Sequence, residues 1–232
     1  MYNGKKISLV IPCHNEEKGI GEVLKDRPSF IDEIIVIDNN SIDKTPFIAR
    51  QYGATILQFK EKGYGSACKA GLMESSGDVV VIMDGDNSYY IQDVERLLNC
   101  MQKKDYDFIN GCRFPLTERQ AMHFMHKIGN CFISWLIRVL LSVKIKDSQS
   151  GMCAFRRSLL PRLLSSDISA GFAFAQEIKI RAWSDHSIQC GEIHINYRQR
   201  LGVSKIGFLD GINNLYRLIR LPLNFDLHKT CN

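Results

Sequence analysis

The feature that most constrains this chain is an alternation in its first half. Short apolar, β-branched runs give way to helix-spaced segments and back again. The runs are Ile7–Ile11, Glu33–Asp38, Thr55–Phe59, Val79–Asp84 and Phe108–Cys112. Helical patterns fill the gaps at Glu16–Lys25, Lys44–Tyr52, Ser66–Ser75 and Ile91–Lys103. Such runs bounded by turn residues read as buried strands. Their alternation with helices predicts an α/β fold, a mostly parallel central sheet flanked by helices.

In an open sheet of this kind, ligands bind beyond the carboxyl ends of the strands. Polar residues collect at those ends. The first run leads into Pro12-Cys13-His14-Asn15-Glu16, the second into Asp38-Asn39-Asn40-Ser41, the fourth into Asp84-Gly85-Asp86-Asn87 and the fifth into Gly111-Cys112-Arg113. One sheet edge is expected to carry the chemistry.

Two nucleotide chemistries are disfavoured. A dinucleotide fold needs Gly-x-Gly-x-x-Gly after its first strand, and that turn has no glycine here; a P-loop is absent as well. Asp84-x-Asp86 offers another route. Two carboxylates at a strand end can converge on one hard divalent cation, Mg²⁺ or Mn²⁺, that bridges to a diphosphate. Alone, the pair fits a solvated turn equally well, because Asp is favoured in turns.

The second half is less regular. His123–Val143 has a long helical pattern, Met152–Arg156 suits a short strand, Ala175–Trp183 a helix and Ser187–Tyr197 an extended segment. No linker or internal repeat divides the chain, so residues 1–232 are expected to form a single domain. Approximately residues 206–232 make an apolar helical tail carrying Arg217 and Arg220. The stretch Ile128–Val143 is hydrophobic over 16 residues and includes Trp135 and Arg138. That is short for a spanning helix. It suits an interfacial helix or a core helix, and periodicity does not separate them.

Bulk properties narrow the partners. A net charge of +5 is compatible with anionic ligands or an anionic surface. With no basic run of five or more, nucleic acid is not expected. The 8 cysteines include no C-x-x-C pair, which suggests reduced core thiols. The first residues lack the apolar region of a signal peptide, so a cytoplasmic location is expected, peripheral on the cytosolic membrane face if a membrane is involved.

Several motifs occur together. Pro12-x-x-Asn15-Glu16, Asp38-x-x-Ser41-x-Asp43-x-Thr45, Gly63-x-Gly65-x-Ala67, Asp84-Gly85-Asp86, Asp147-x-x-Ser150-Gly151-x-x-x-Phe155-Arg156 and Arg200-x-Gly202-x-Ser204-Lys205 fall in this order. The set resembles the family 2 glycosyltransferases of GT-A fold, and within them the polyprenyl- and dolichyl-phosphate sugar synthases. The resemblance covers roughly residues 7 to 205. Two positions depart from the synthases: Ser88 stands where Gln is frequent, and Asp38-Asn39-Asn40 where Asp-Asp-Gly is commoner.

The resemblance implies an inverting, metal-dependent transfer from a nucleoside-diphosphate sugar to a polyprenyl phosphate. A glycan or small-molecule hydroxyl is the alternative acceptor. A sugar-phosphate nucleotidyltransferase and a non-catalytic nucleotide-binding subunit are more distant alternatives. It implies that Pro12, Asn15, Glu16, Asp38, Ser41, Gly63, Asp84 and Asp86 bind the donor, with Asp84 and Asp86 on the cation. Asp86, Asp147 and Arg113 are the expected catalytic set. Arg113, Gln149, Arg200 and Lys205 are expected on the acceptor or phosphates. Bland roles remain open: Asp38 and Asp147 suit turns or caps, Asn15 and Glu16 suit a cap of the first helix, and the cations suit a solvated surface.

Overall fold

The structure is a computed structural model, and it describes residues 1–118, 120–164, 167–205 and 217. Seven strands form one sheet in the order β3-β2-β1-β4-β6-β5-β7. They are β1 Ile7–Cys13, β2 Glu33–Asp38, β3 Thr55–Gln58, β4 Val79–Ile82, β5 Phe108–Cys112, β6 Cys153–Arg156 and β7 Cys190–His194. All run in one direction except β6, which is antiparallel to both β4 and β5. The carboxyl ends of six strands therefore share one edge.

The central strands are wholly buried because helices cover both faces. All seven β1 residues and all four of β4 are buried. The helices are α1 Ile20–Leu24, α2 Thr45–Gln51, α3 Tyr64–Glu74, α4 Asp93–Lys104, α5 Phe124–Leu141, α6 Leu160–Leu163 and α7 Phe174–Ser184. One apolar layer joins β1 to Leu24, Val94, Leu97 and Met101. The other joins Val10, Ile35 and Val80 to Leu72, Phe155, Phe174 and Ile178.

Four sequence expectations are adjusted. β1 continues through Pro12 and Cys13, and α1 begins at Ile20 rather than at Glu16. After Asn15 at φ 53°, residues 16–19 form a turn in which the Gly19 and Ile20 N–H groups both donate to the Glu16 carbonyl (2.9 Å each), and α1 starts only beyond it. β4 ends at Ile82, so Asp84 sits in the turn beyond the strand. The extended C-terminal segment is shorter than expected, although Tyr197 still forms an isolated bridge to Tyr89. The expected tail helix lies outside the described residues except for Arg217.

α5 is not a core helix. It buries only Ser134 and Ile137, while Phe124, Met125, Ile128, Phe132, Trp135, Val139 and Leu140 are exposed. These exposed positions recur at intervals of three and four residues and make one continuous apolar stripe. Its 18 residues have a mean hydropathy of 1.2, enough by length and composition alone to cross a membrane.

Candidate active site

The loops after β1 and β2 are stitched to each other. The Asn15 N–H donates to Ser41 Oγ (2.9 Å), and the Ile42 N–H to Asn15 Oδ1 (2.9 Å). The Glu16 N–H donates to Thr45 Oγ1 (2.7 Å), and the Glu17 N–H to Asp43 Oδ2 (3.1 Å). Asn15 and Ser41 thus shape the edge by holding each other. Pro12 is buried inside β1, where its role is in the strand. Asp38 is buried at the tip of β2, accepting from the Ser41 N–H at 3.3 Å.

Asn39 welds the next wall. Its carboxamide donates to the carbonyls of Phe59 (3.1 Å) and Glu61 (2.6 Å) and accepts from the Gly63 N–H (3.3 Å). Gly63 has φ 137°, and a Cβ there would lie 2.3 Å from the Ala170 carbonyl. Only glycine fits.

The carboxylate pair lies at the centre. Asp86 is buried, and its Oδ1 accepts from the Ser88 N–H (2.9 Å) and Oγ (2.5 Å). Ser88 thus fixes the rotamer of Asp86. Asp86 Oδ2 faces Arg200 Nη2 at 3.3 Å. Asp84 Oδ1 accepts from the Tyr64 hydroxyl at 3.0 Å. A Cβ on Gly151 would lie 2.3 Å from Asp84 Oδ2, so the Gly151 backbone lies directly against this carboxylate. Burial first, and then repulsion from Asp86, push the Asp84 pKa up to about 6.

The segment after β7 closes over this pair. The Leu201 N–H donates to the Asp86 carbonyl (2.8 Å), and the Arg198 N–H to the Ser88 carbonyl (3.0 Å). Arg198 stacks on Tyr90 at 4.1 Å and donates to the Asn87 carbonyl. Lys205 pairs with Glu16, and Glu16 is otherwise nearly buried. Burial raises the Glu16 pKa to about 7, with Lys205 opposing the rise and Asp86 adding to it.

Arg113 and Asp147 are brought together, but onto each other. Arg113 Nε and Nη2 donate to Asp147 Oδ2 (2.7 Å) and Oδ1 (2.8 Å), and the Arg113 N–H adds a third bond. Asp147 is 0% exposed and Arg113 5%. Burial alone would raise the Asp147 pKa; the guanidinium holds it below the usual carboxylate value. The expected phosphate clamp and catalytic carboxylate therefore form a buried bidentate pair. Gln149 is half-buried, donating to Ser148 Oγ (3.0 Å) and Gln176 Oε1 (2.8 Å).

Sequence reasoning assigned no role to Tyr64, Tyr89 or Lys179. Tyr64 stood unread inside Gly63-Tyr64-Gly65. Tyr89 accepts from the Gly151 N–H at 2.6 Å, an interaction across 62 residues that no local pattern announces.

The donor set fits a hard divalent cation bound together with its substrate. No group of three or more His, Cys, Asp or Glu that would cage a metal is found among the described residues. A buried Asp86 beside a part-buried Asp84 that it repels would suit Mg²⁺ or Mn²⁺.

Comparison with known proteins bears on this geometry. The family model described as Glycosyl transferase family 2 matches residues 8–164, and the chain belongs to that family of glycosyltransferases. It is 30% identical over 209 residues to a dolichyl-phosphate hexose transferase of Haloferax volcanii, covering 88% of each chain. It is 27% identical to the low-salt glycan biosynthesis hexosyltransferase Agl6 of the same organism, over 93% of this chain and 54% of the relative. Among solved structures, glucosyl-3-phosphoglycerate synthase from Mycobacterium tuberculosis, in complex with Mg²⁺ and uridine-diphosphate, superposes with a TM-score of 0.75. The identity is 22%, and the superposition covers 93% of this chain and 79% of that one. That likeness shows the GT-A fold.

Proposed function

We propose that this glycosyltransferase transfers a hexose, with inversion, from a nucleoside-diphosphate sugar to a polyprenyl or dolichyl phosphate held at a membrane surface. The β1, β2 and Asn39 loops frame the nucleoside, with Asp38 at its base or ribose. Asp84 and Asp86 would hold a Mg²⁺ or Mn²⁺ ion, which would supply positive charge against the departing diphosphate. Arg200 and Lys205, on the segment lying over both loops, offer cations to phosphate oxygens.

The state of the carboxylates carries the acceptor assignment. Asp147 is locked by Arg113, Glu16 is paired with Lys205, and Asp86 is held by Ser88 and Arg200. A hydroxyl acceptor usually needs a general base. A lipid phosphate is already ionised and needs only to be positioned. Its oxygen attacks the anomeric carbon from the face opposite the diphosphate, and the bond from that carbon to the diphosphate oxygen breaks.

The α5 stripe supports a membrane site for the acceptor. Phe132 and Trp135 stack at 5.9 Å on an exposed apolar face, with Lys127 and Arg138 on the same helix. Aromatic and basic residues on such a helix favour the interface of an anionic bilayer. By sequence, residues 206–232 would add a second interfacial segment to the same single domain. A cytosolic, peripheral placement follows from this reading. The name of the Haloferax dolichyl-phosphate hexose transferase supports a lipid-phosphate acceptor.

The test is to incubate the protein with labelled UDP- and GDP-sugars, Mg²⁺ or Mn²⁺, and either dolichyl phosphate or soluble sugar acceptors. Label that extracts with lipid supports the reading. Label found only on hydroxyl acceptors across the whole panel would overturn it.

A further inference from the structure

Lys179 stands out among the side chains outside the donor site. It lies on α7 and is 1% exposed, yet it carries an ammonium group. Among the described residues no carboxylate lies within ion-pair distance of it. Its Nζ instead donates to two backbone carbonyls, those of Ser148 (3.1 Å) and Ser150. Burial lowers its pKa, as expected for a cation taken out of water. A buried lysine with no directly paired carboxylate is costly, even though Asp147 and Glu192 lie near enough to favour its charge, and apolar residues crowd the same helix. What it holds is therefore the informative point.

The turn it holds is tied down from several sides. The Asp147 N–H donates to Glu192 Oε1 (3.0 Å), and the Ser148 N–H to Ser134 Oγ on α5 (3.0 Å). The Gly151 N–H donates to the Tyr89 hydroxyl (2.6 Å). At the end of the turn, Gly151 rests against Asp84, with no room for a Cβ. Gln149 lies in the middle, half-buried and bonded to Ser148 and Gln176. In a nucleoside-diphosphate sugar, the anomeric carbon is two bonds from the β-phosphorus. If that phosphate shares a cation with Asp84, the sugar has to lie beside this turn.

We propose that Lys179 is a positioning residue for the donor sugar: by gathering the Ser148 and Ser150 carbonyls onto one ammonium, it fixes the turn that carries Gln149 and Gly151 beside Asp84. The proposal rests on the reading that Asp84 and Asp86 hold the donor diphosphate. The nucleoside itself is framed by the β1 and β2 loops, which Lys179 does not touch. Loss of Lys179 therefore spares nucleotide binding and impairs reaction of the sugar.

Lys179→Met keeps the length of the side chain and removes all three donors. The full chain is assayed for Mn²⁺-dependent binding of UDP and GDP by calorimetry. Release of nucleoside diphosphate is followed from whichever nucleotide sugar the wild type consumes. The expected result is a dissociation constant within twofold of wild type and a kcat lowered at least tenfold, with Lys179→Arg recovering most of the loss. A kcat within twofold of wild type overturns the proposal. Binding and kcat falling by the same factor also overturns it, because that pattern marks a general structural defect.

If Lys179→Met does not fold, Ser134→Ala loosens the same turn from α5. A kcat lowered at least threefold with unchanged nucleotide binding supports the proposal, and an unchanged kcat overturns it. Hydrogen exchange at residues 147–152, measured without ligand, separates this proposal from the donor-site reading. Exchange at least tenfold faster in the variant, confined to the turn, supports the tether even if no nucleotide binds. Unaltered exchange overturns it.

Discussion

Tyr64 and Asp84 show how single contacts set the chemistry of the edge. The Tyr64 hydroxyl is a hydrogen-bond donor to Asp84, and that bond opposes the rise in pKa caused by burial and by Asp86. Tyr64→Phe removes it. Proton competition then strengthens and the carboxylate loses its orientation. Partners of this kind typically contribute about 10–100-fold in metal affinity. Mn²⁺ affinity in the presence of UDP, followed by electron paramagnetic resonance, is expected to fall by about that factor; unchanged affinity would mean that the hydroxyl does not orient the ligand.

The same carboxylates predict a pH dependence of stability. Asp84 rises from 3.8 to about 6 on folding, and Glu16 from 4.5 to about 7. Between the unfolded and folded values the native state binds more protons, so stability falls as pH rises. The metal-free protein is therefore expected to lose stability from these groups between about pH 4 and pH 7. Mn²⁺ with UDP raises the melting temperature more at pH 7.5 than at pH 5, because the cation binds the ionised pair. Asp86→Asn removes one repulsion on Asp84. Easing that carboxyl back toward its ordinary pKa is worth on the order of 1 kcal/mol. The metal-free variant is expected to melt higher than wild type at pH 7.5; differential scanning fluorimetry reads both effects.

At the scale of elements, Arg113 and Asp147 join the end of β5 to the turn before β6. Arg113→Ala leaves a buried carboxylate without its partner and is expected to cost about 3–5 kcal/mol of stability. Arg113→Lys restores the charge but not the fork, so it recovers only part of the loss in denaturant titrations. α5 makes a different prediction, because its apolar face is not in the core. Phe132→Ser with Trp135→Ser is expected to leave the melting temperature nearly unchanged and to weaken binding to anionic vesicles at least tenfold. A large drop in melting temperature would mean that the face is packed in the folded protein.

At the scale of the molecule, the parallel sheet was legible because each strand is a local run of β-branched residues and each helix a local periodicity. The polar strand ends were legible for the same reason. The rest depends on distant partners. Nothing around Met152 indicates that β6 inserts antiparallel between β4 and β5. The closure of Arg198 to Leu201 over Asp86 spans more than a hundred residues. Arg113 read as a free phosphate clamp because its partner lies 34 residues away. Nothing in the sequence marks Lys179, because burial is decided by the whole fold. The α1 boundary moved for a local reason, the turn closed on the Glu16 carbonyl, which a helix-period pattern does not detect.

Asp84 and Asp86 are central: they are proposed to hold the cation and diphosphate of a donor whose sugar is passed to a lipid phosphate. The direct measurement is formation of lipid-extractable sugar from a labelled nucleotide sugar and dolichyl phosphate, comparing wild type, wild type with the divalent cation chelated, and Asp86→Asn. Product is predicted from wild type with Mg²⁺ or Mn²⁺. Chelation or substitution is predicted to lower it by about two to three orders of magnitude, as when a main electrostatic contribution is removed. Equal yield from Asp86→Asn, or from the chelated enzyme, would contradict this assignment.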